Sequence, residues 1–129
     1  MIPNRSVNSY KQTQTQSSTP LELVVLLYDG ALKFMVTARE AAARKDIKGR
    51  KTALDGALAI VAELQGTLNM ERGGEIAKEL DRLYTYVTDC LIKGAMHNDV
   101  RAIGDAHRVF EVLREGWRGI VATQGQGAA

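Results

Sequence analysis

The run TPLELVVLLYDGALKFMVTAREAAAR, residues 19–44, decides the fold. Thr19 offers a hydroxyl to cap a helix, Pro20 suits the first helical position, and Glu22 stands where a reciprocal cap needs a carboxylate. Behind that start Leu21, Val24, Tyr28, Ala31, Met35, Ala38 and Ala42 recur three or four residues apart, which is the stripe of a helix. No proline follows Pro20, so nothing downstream forbids further helices of similar length.

Working outward, the pattern repeats three times. Asp46 can cap a second helix carrying Leu54, Ala57, Leu58, Val61, Leu64 and Leu68. Gly73-Gly74 breaks the chain, and Glu75 suits the first turn of a third helix with Ile76, Leu80, Leu83, Val87, Leu91 and Gly94. Asn98 or Asp99 restarts the chain for a fourth, with Ile103, Ala106, Phe110, Leu113, Trp117 and Ile120. The expected helices cover about 19–44, 46–69, 74–97 and 99–121. Connections this short force neighbours in sequence to lie antiparallel. The expected fold is all-α: an up-down four-helix bundle over 19–122. A flexible N-terminal arm over 1–18 precedes it, and a disordered tail over 123–129 follows. The arm is polar apart from Tyr10, its one bulky aromatic.

Composition narrows the function. Aromatics at 5% and two prolines are too few for an all-β domain, while 45% apolar residues suffice for one core. The net charge of +2 comes from Arg5 and Lys11 in the arm, and the remainder balances. No basic stripe interleaved with aromatics marks nucleic acid as a partner. No apolar run approaches the ~18 residues of a membrane span, so no membrane insertion is expected. The start Met1-Ile2-Pro3-Asn4-Arg5-Ser6 lacks the apolar region of a secretory signal. With Cys90 as the one cysteine, a reducing cytoplasmic setting is expected.

The same residues argue against chemistry. There is no Glu-x-x-His pair for a di-iron site and no second cysteine for haem attachment. Gly73-Gly74 has no Gly-Lys-Ser/Thr behind it to hold a phosphate. His97 and His107 lack the neighbouring lysine of a phosphotransfer histidine, and Cys90 lacks a paired base. No enzyme activity, metal or cofactor is expected.

What remains is surplus apolar surface. Helix one carries a second stripe, Leu23, Leu27, Gly30 and Phe34. Helix three adds Tyr84, Tyr86, Ile92 and Met96, and helix four adds Ala102, Val109, Val112 and Gly116. Such a surplus fits a groove for a partner helix, a homodimer face, or ordinary burial, and periodicity leaves all three open. Gly30, Gly94 and Gly116 cost up to ~1 kcal/mol each inside helices, which points to close approach by a neighbour. Candidate groove residues are Leu23, Leu27, Phe34, Tyr84 and Met96. Tyr28 and Trp117 fit core or groove floor, and Asp29 fits a bond to a neighbouring helix.

Several pieces, in order, resemble the family of the flagellar secretion chaperone FliS. They are Tyr10-Lys11-Gln12, Thr19-Pro20-Leu21-Glu22-Leu23, Leu26-Leu27-Tyr28-Asp29-Gly30-Ala31, Gly73-Gly74 with Ile76-Ala77, and Leu113-Arg114-Glu115-Gly116-Trp117. The match spans about residues 8–120. It departs where Thr19 replaces a serine, at Met96, and at Asp105-Ala106. The resemblance implies a cytoplasmic export chaperone that binds the disordered C-terminal segment of flagellin. That binding would block premature polymerisation and support delivery to the flagellar type III export gate, with other flagellar proteins as further possible partners. A homodimeric structural bundle is the rival reading. Tyr10 and the arm are expected to lid the groove in the empty protein.

Overall fold

The computed structural model describes residues 19–128, with side chains up to Thr123. Residues 1–18, including the expected lid residue Tyr10, lie outside that range. Among the described residues the backbone forms four helices, α1 (Pro20–Ala43), α2 (Ile47–Gly66), α3 (Met70–His97) and α4 (Val100–Ala128).

The helix starts follow the capping logic of the sequence. The amide of Glu22 donates to Thr19 Oγ1 at 3.1 Å, and the Thr19 amide donates back to Glu22 Oε1 at 3.3 Å. Asp46 Oδ1 accepts from the Gly49 amide at 2.9 Å, and Asp99 Oδ1 from the Ala102 amide at 3.0 Å. α3 differs from expectation by one turn. Asn69 caps a short turn from Met70, and Gly74 then bends the chain at φ 53°, ψ −131° before the long segment begins. Only glycine adopts that conformation without strain. α4 continues through 123–128, where the composition predicts a tail; no proline stops it, and Ala and Gln favour helix.

Each helix packs on two neighbours: α1 on α2 and α4, and α3 on α2 and α4. With short turns between them, this is a four-cornered up-down bundle. The arrangement accounts for the double stripe of α1. Its first stripe turns inward, while Leu27, Gly30, Leu32 and Ala41 are buried toward the flanking helices. Of the second stripe of α1, Leu27 and Gly30 are thus buried, while Leu23 and Phe34 stay partly exposed.

The deepest side chains are Tyr28, Met35, Leu54, Ile60, Tyr84, Leu91, Ile103 and Phe110. Two close approaches are made with glycine. A Cβ on Gly56 would meet the Phe34 ring at 2.7 Å, and one on Gly94 would meet Ile103 Cγ1 at 2.5 Å. At Gly116 a Cβ would meet nothing within 4 Å, so that glycine does not mark close packing.

One charge is taken inside. Arg50, only 7% exposed, donates Nη1 to Asn98 Oδ1 at 2.7 Å and Nη2 to the Ala95 carbonyl at 3.2 Å. It thereby places a cation at the C-terminal end of α3, where the helix dipole favours one.

Alanine substitutions separate the two kinds of glycine. Gly94→Ala should destabilise by about 1–2 kcal/mol, because overpacking against the branched Ile103 outweighs the gain in helix propensity. Gly104→Ala, with nothing within 4 Å, should stabilise by about 0.5–1 kcal/mol. Urea denaturation of the two variants beside the parent reads both signs.

Candidate partner-binding surface

At one end of the bundle the N-terminus of α1, the C-terminus of α2, the first turns of α3 and the last described turns of α4 meet. They enclose an apolar pocket of ≈ 300 Å³ whose lining includes Leu21, Val24, Leu68, Ile76, Leu80 and Trp117. Its floor is Tyr84, held by the central aromatic cluster. The Tyr28 and Tyr84 hydroxyls are 2.6 Å apart. Phe110 packs against Tyr28 with ring centroids 4.5 Å apart and meets Tyr84 edge-on at 6.1 Å. Burial raises the Tyr28 hydroxyl above its ordinary pKa, and the nearby Tyr84 raises it further; Trp117 acts in the opposite sense. Either hydroxyl of the pair can be the donor. Burial likewise raises Tyr84, partly offset by its bond to Tyr28. Both hydroxyls stay protonated at neutral pH.

Beside the pocket, the long edges of α3 and α4 carry a second apolar surface. On α4, Val109, Val112, Gly116 and Ile120 follow one helical face, with Val112 68% exposed. On α3, Leu83 and Tyr86 share a face with Cys90. Tyr86 is 46% exposed, and Cys90 one turn along the helix raises its hydroxyl above the ordinary pKa. Gly104, Gly116 and Gly119 leave open space along α4, as an approaching helix would need.

A third concavity, between α1 and α4, mixes Val25, Leu26, Leu32 and Val36 with charged side chains. Arg114 Nη1 and Asp29 Oδ1 form an ion pair at 3.1 Å, and His107 Nδ1 lies 3.4 Å from Glu111 Oε1. Asp29 thus bonds a neighbouring helix, as the sequence suggests, and ties α1 to α4. Among the described residues, no group of three or more His, Cys, Asp or Glu gathers to hold a metal, and no helix is long and apolar enough to cross a membrane.

The five candidate groove residues do not form one site. Leu27 and Tyr84 are in the core, with only Tyr84 reaching a pocket. Leu23 is half-buried on α1. Phe34 lies over Gly56 in the shallow α1–α2 cleft. Met96, 71% exposed, stands near the end of α3 far from the pocket. The physical reason is that periodicity reports how wide an apolar face is, not which part of it a neighbour covers. Tyr28 and Gly30 lie in the core, Gly30 having been placed on the surplus stripe, and Trp117 forms part of the pocket wall. The sequence reading assigned no role to Arg114 or Arg50, because an arginine in a helix reads as a solvated side chain. It counted Tyr86 among the surplus without singling it out.

The chain matches the family model described as "Flagellar protein FliS" over residues 3–124. It is 35% identical to the flagellar secretion chaperone FliS of Campylobacter jejuni, with 92% of each chain covered. It is 31% identical to the flagellar secretion chaperone FliSB of Pseudomonas aeruginosa, covering 93% of this chain and 98% of that one. To FliS of Salmonella typhimurium it is also 31% identical, with 93% of each covered.

The tyrosine pair predicts a thermodynamic signature. Replacing one partner leaves the other hydroxyl buried without its bond, so Tyr28→Phe or Tyr84→Phe should each cost about 1–3 kcal/mol. The double variant should cost less than their sum. Since both native pKa values lie above the ordinary value near 10, the unfolded chain loses its protons first. Stability is full below about pH 10 and falls as pH rises beyond it, less steeply in the double variant. Chemical denaturation at successive alkaline pH values measures both effects.

Proposed function

The chain belongs to the FliS family, a family of chaperones rather than enzymes, and from that premise we propose that it is a cytoplasmic export chaperone for flagellin. In this reading it binds the disordered C-terminal segment of flagellin, which folds into helices on the bundle. Binding masks the segment from premature polymerisation and supports delivery to the flagellar type III export apparatus.

The observation that carries the reading is the exposed apolar surface along α3 and α4, continuous in level with the apolar end pocket. A monomer gains nothing by exposing Val112, Ile120 and Ile76 there, whereas an amphipathic segment of cargo can cover them. Coupled folding of such a segment typically buries about 1,000–3,000 Å² and costs about 2–5 kcal/mol in ordering, which keeps binding reversible. We place the cargo on Leu83, Tyr86, Val109, Val112 and Ile120, with Gly116 admitting close approach. Of the residues singled out from sequence, Tyr84 joins them as pocket floor.

The arm enters as a lid. Thr19 opens α1 at the same end as the apolar pocket, and the nine residues between Tyr10 and Thr19's neighbour span up to about 30 Å when extended. Tyr10 can therefore reach the pocket and hold it until cargo displaces it.

Titration of a flagellin C-terminal peptide tests these assignments. Val112→Asp and Tyr86→Ala should each weaken binding about tenfold or more with the thermal melt unchanged, because both side chains are exposed. Binding that survives both would move the cargo off this face. Deleting residues 1–17 should tighten binding if the arm competes; weaker binding would make Tyr10 a direct contact. A tight dimer by sedimentation, indifferent to the peptide, would favour the homodimeric reading and defeat the chaperone one.

A further inference from the structure

The balanced charge of the helical region conceals a basic excess at one end of the bundle. At the end opposite the apolar pocket, the α1–α2 turn brings Arg39, Arg44, Lys45, Lys48, Arg50 and Lys51 within thirteen residues, against Glu40 and Asp46. The antiparallel fold adds Lys93 and Arg101 from the ends of α3 and α4, with Asp99 against them. At the pocket end Glu22, Glu71, Glu75, Glu79 and Asp81 are interleaved with Arg72, Lys78 and Arg82, Lys78 pairing with Glu75 and Arg82 with Glu79, so charge there is close to balanced.

Helix physics does not ask for the basic end. The positive pole of a helix dipole lies at its N-terminus and favours carboxylates there. α1 and α3 comply, with Glu22 and Glu71 in their first turns. α2 and α4 have no acidic residue in the first turn and instead place Lys48 and Arg101 there, both exposed. Arg50 has a structural task at the end of α3; Lys48, Lys51 and Arg101 have none. The same end also exposes large apolar side chains: Ile47 at 60%, Met96, and Val100. Arg50 bonds Ala95 and Asn98, so the start of α2 lies against the end of α3 that carries Met96.

We propose that this end of the bundle is a docking surface for an anionic lipid bilayer. Exposed aliphatic tips ringed by lysine and arginine match a headgroup layer, where cations meet lipid phosphates and the short apolar groups enter the boundary beneath. The opposite end has no matching excess of cations, so the bundle meets the bilayer basic end down. The apolar pocket then faces away from the membrane, open to a partner. A peripheral contact of this kind needs no spanning segment. The proposal does not depend on the cargo being flagellin.

Co-sedimentation of the full chain with vesicles tests it, comparing phosphatidylglycerol-containing vesicles with pure phosphatidylcholine. The chain should bind the anionic vesicles and be released at high salt. The variant Lys48→Glu, Lys51→Glu, Arg101→Glu should lose roughly a hundredfold in partitioning, at about fivefold per cation removed. Carboxylates near these helix starts favour the dipole, so the loss is not one of folding, which a thermal melt confirms. Ile47→Ser with Met96→Ser should weaken binding further. Equal binding to both vesicle types, or an unaffected triple variant, overturns the proposal. Binding of soluble polyglutamate without vesicle binding also overturns it and assigns the end to an acidic protein. Peptide titration of the same triple variant should match the parent, which separates this result from the chaperone reading.

Discussion

Two tyrosine hydroxyls meeting 2.6 Å apart in the middle of an apolar bundle set the terms for what surrounds them. Tyr28 stands on α1 and Tyr84 on α3, which occupy diagonal corners and share no direct helix contact. Only long side chains span that diagonal, and only a satisfied pair tolerates burial there. The bond fixes the height of α1 against α3. Phe110 of α4 then fills the space beside both rings, and Trp117 settles one turn pair further along the same helix. The apolar end pocket exists because this cluster ends at Tyr84 and nothing among the described side chains fills the space beyond it.

What was legible in the sequence was local. Thr19 with Glu22, Asp46, and the break at Gly74 are statements about a few adjacent residues, and each appears as a cap or a bend in the fold. Gly94 was legible because a glycine inside a helix costs stability and needs a reason; Ile103 supplies it. Gly116 obeys the same argument and has no such neighbour, since the reason for a glycine can lie in a partner absent from the fold. The binding surface was less legible. Leu27 and Val112 are equally apolar residues at the edge of a stripe. One is covered because it turns into the bundle, and the other is bare because it turns outward from α4. Which helix stands beside which is a property of the closed bundle, invisible to periodicity.

Charge behaves in the same way. Summed over the helical region it cancels, and a reader of composition sees nothing. Folding an up-down bundle sorts residues by distance from the turns. Segments far apart in sequence, such as 39–51 and Lys93 with Arg101, then arrive at one end, while the start of α3 at the other mixes carboxylates with Arg72, Lys78 and Arg82. The molecule presents an apolar pocket at one pole and a basic, aliphatic-tipped surface at the opposite pole. A binding event at either leaves the other free.

The Asp29–Arg114 ion pair joins residues 85 apart in sequence, across the seam between the first helix and the last. Every other seam connects consecutive helices and closes a short loop. Loop entropy therefore orders assembly in time: the hairpins form early, and the α1–α4 seam shuts last, after most of the chain has been synthesised. On a ribosome the nascent bundle spends that interval as an open trough, with Tyr28 still waiting for Phe110.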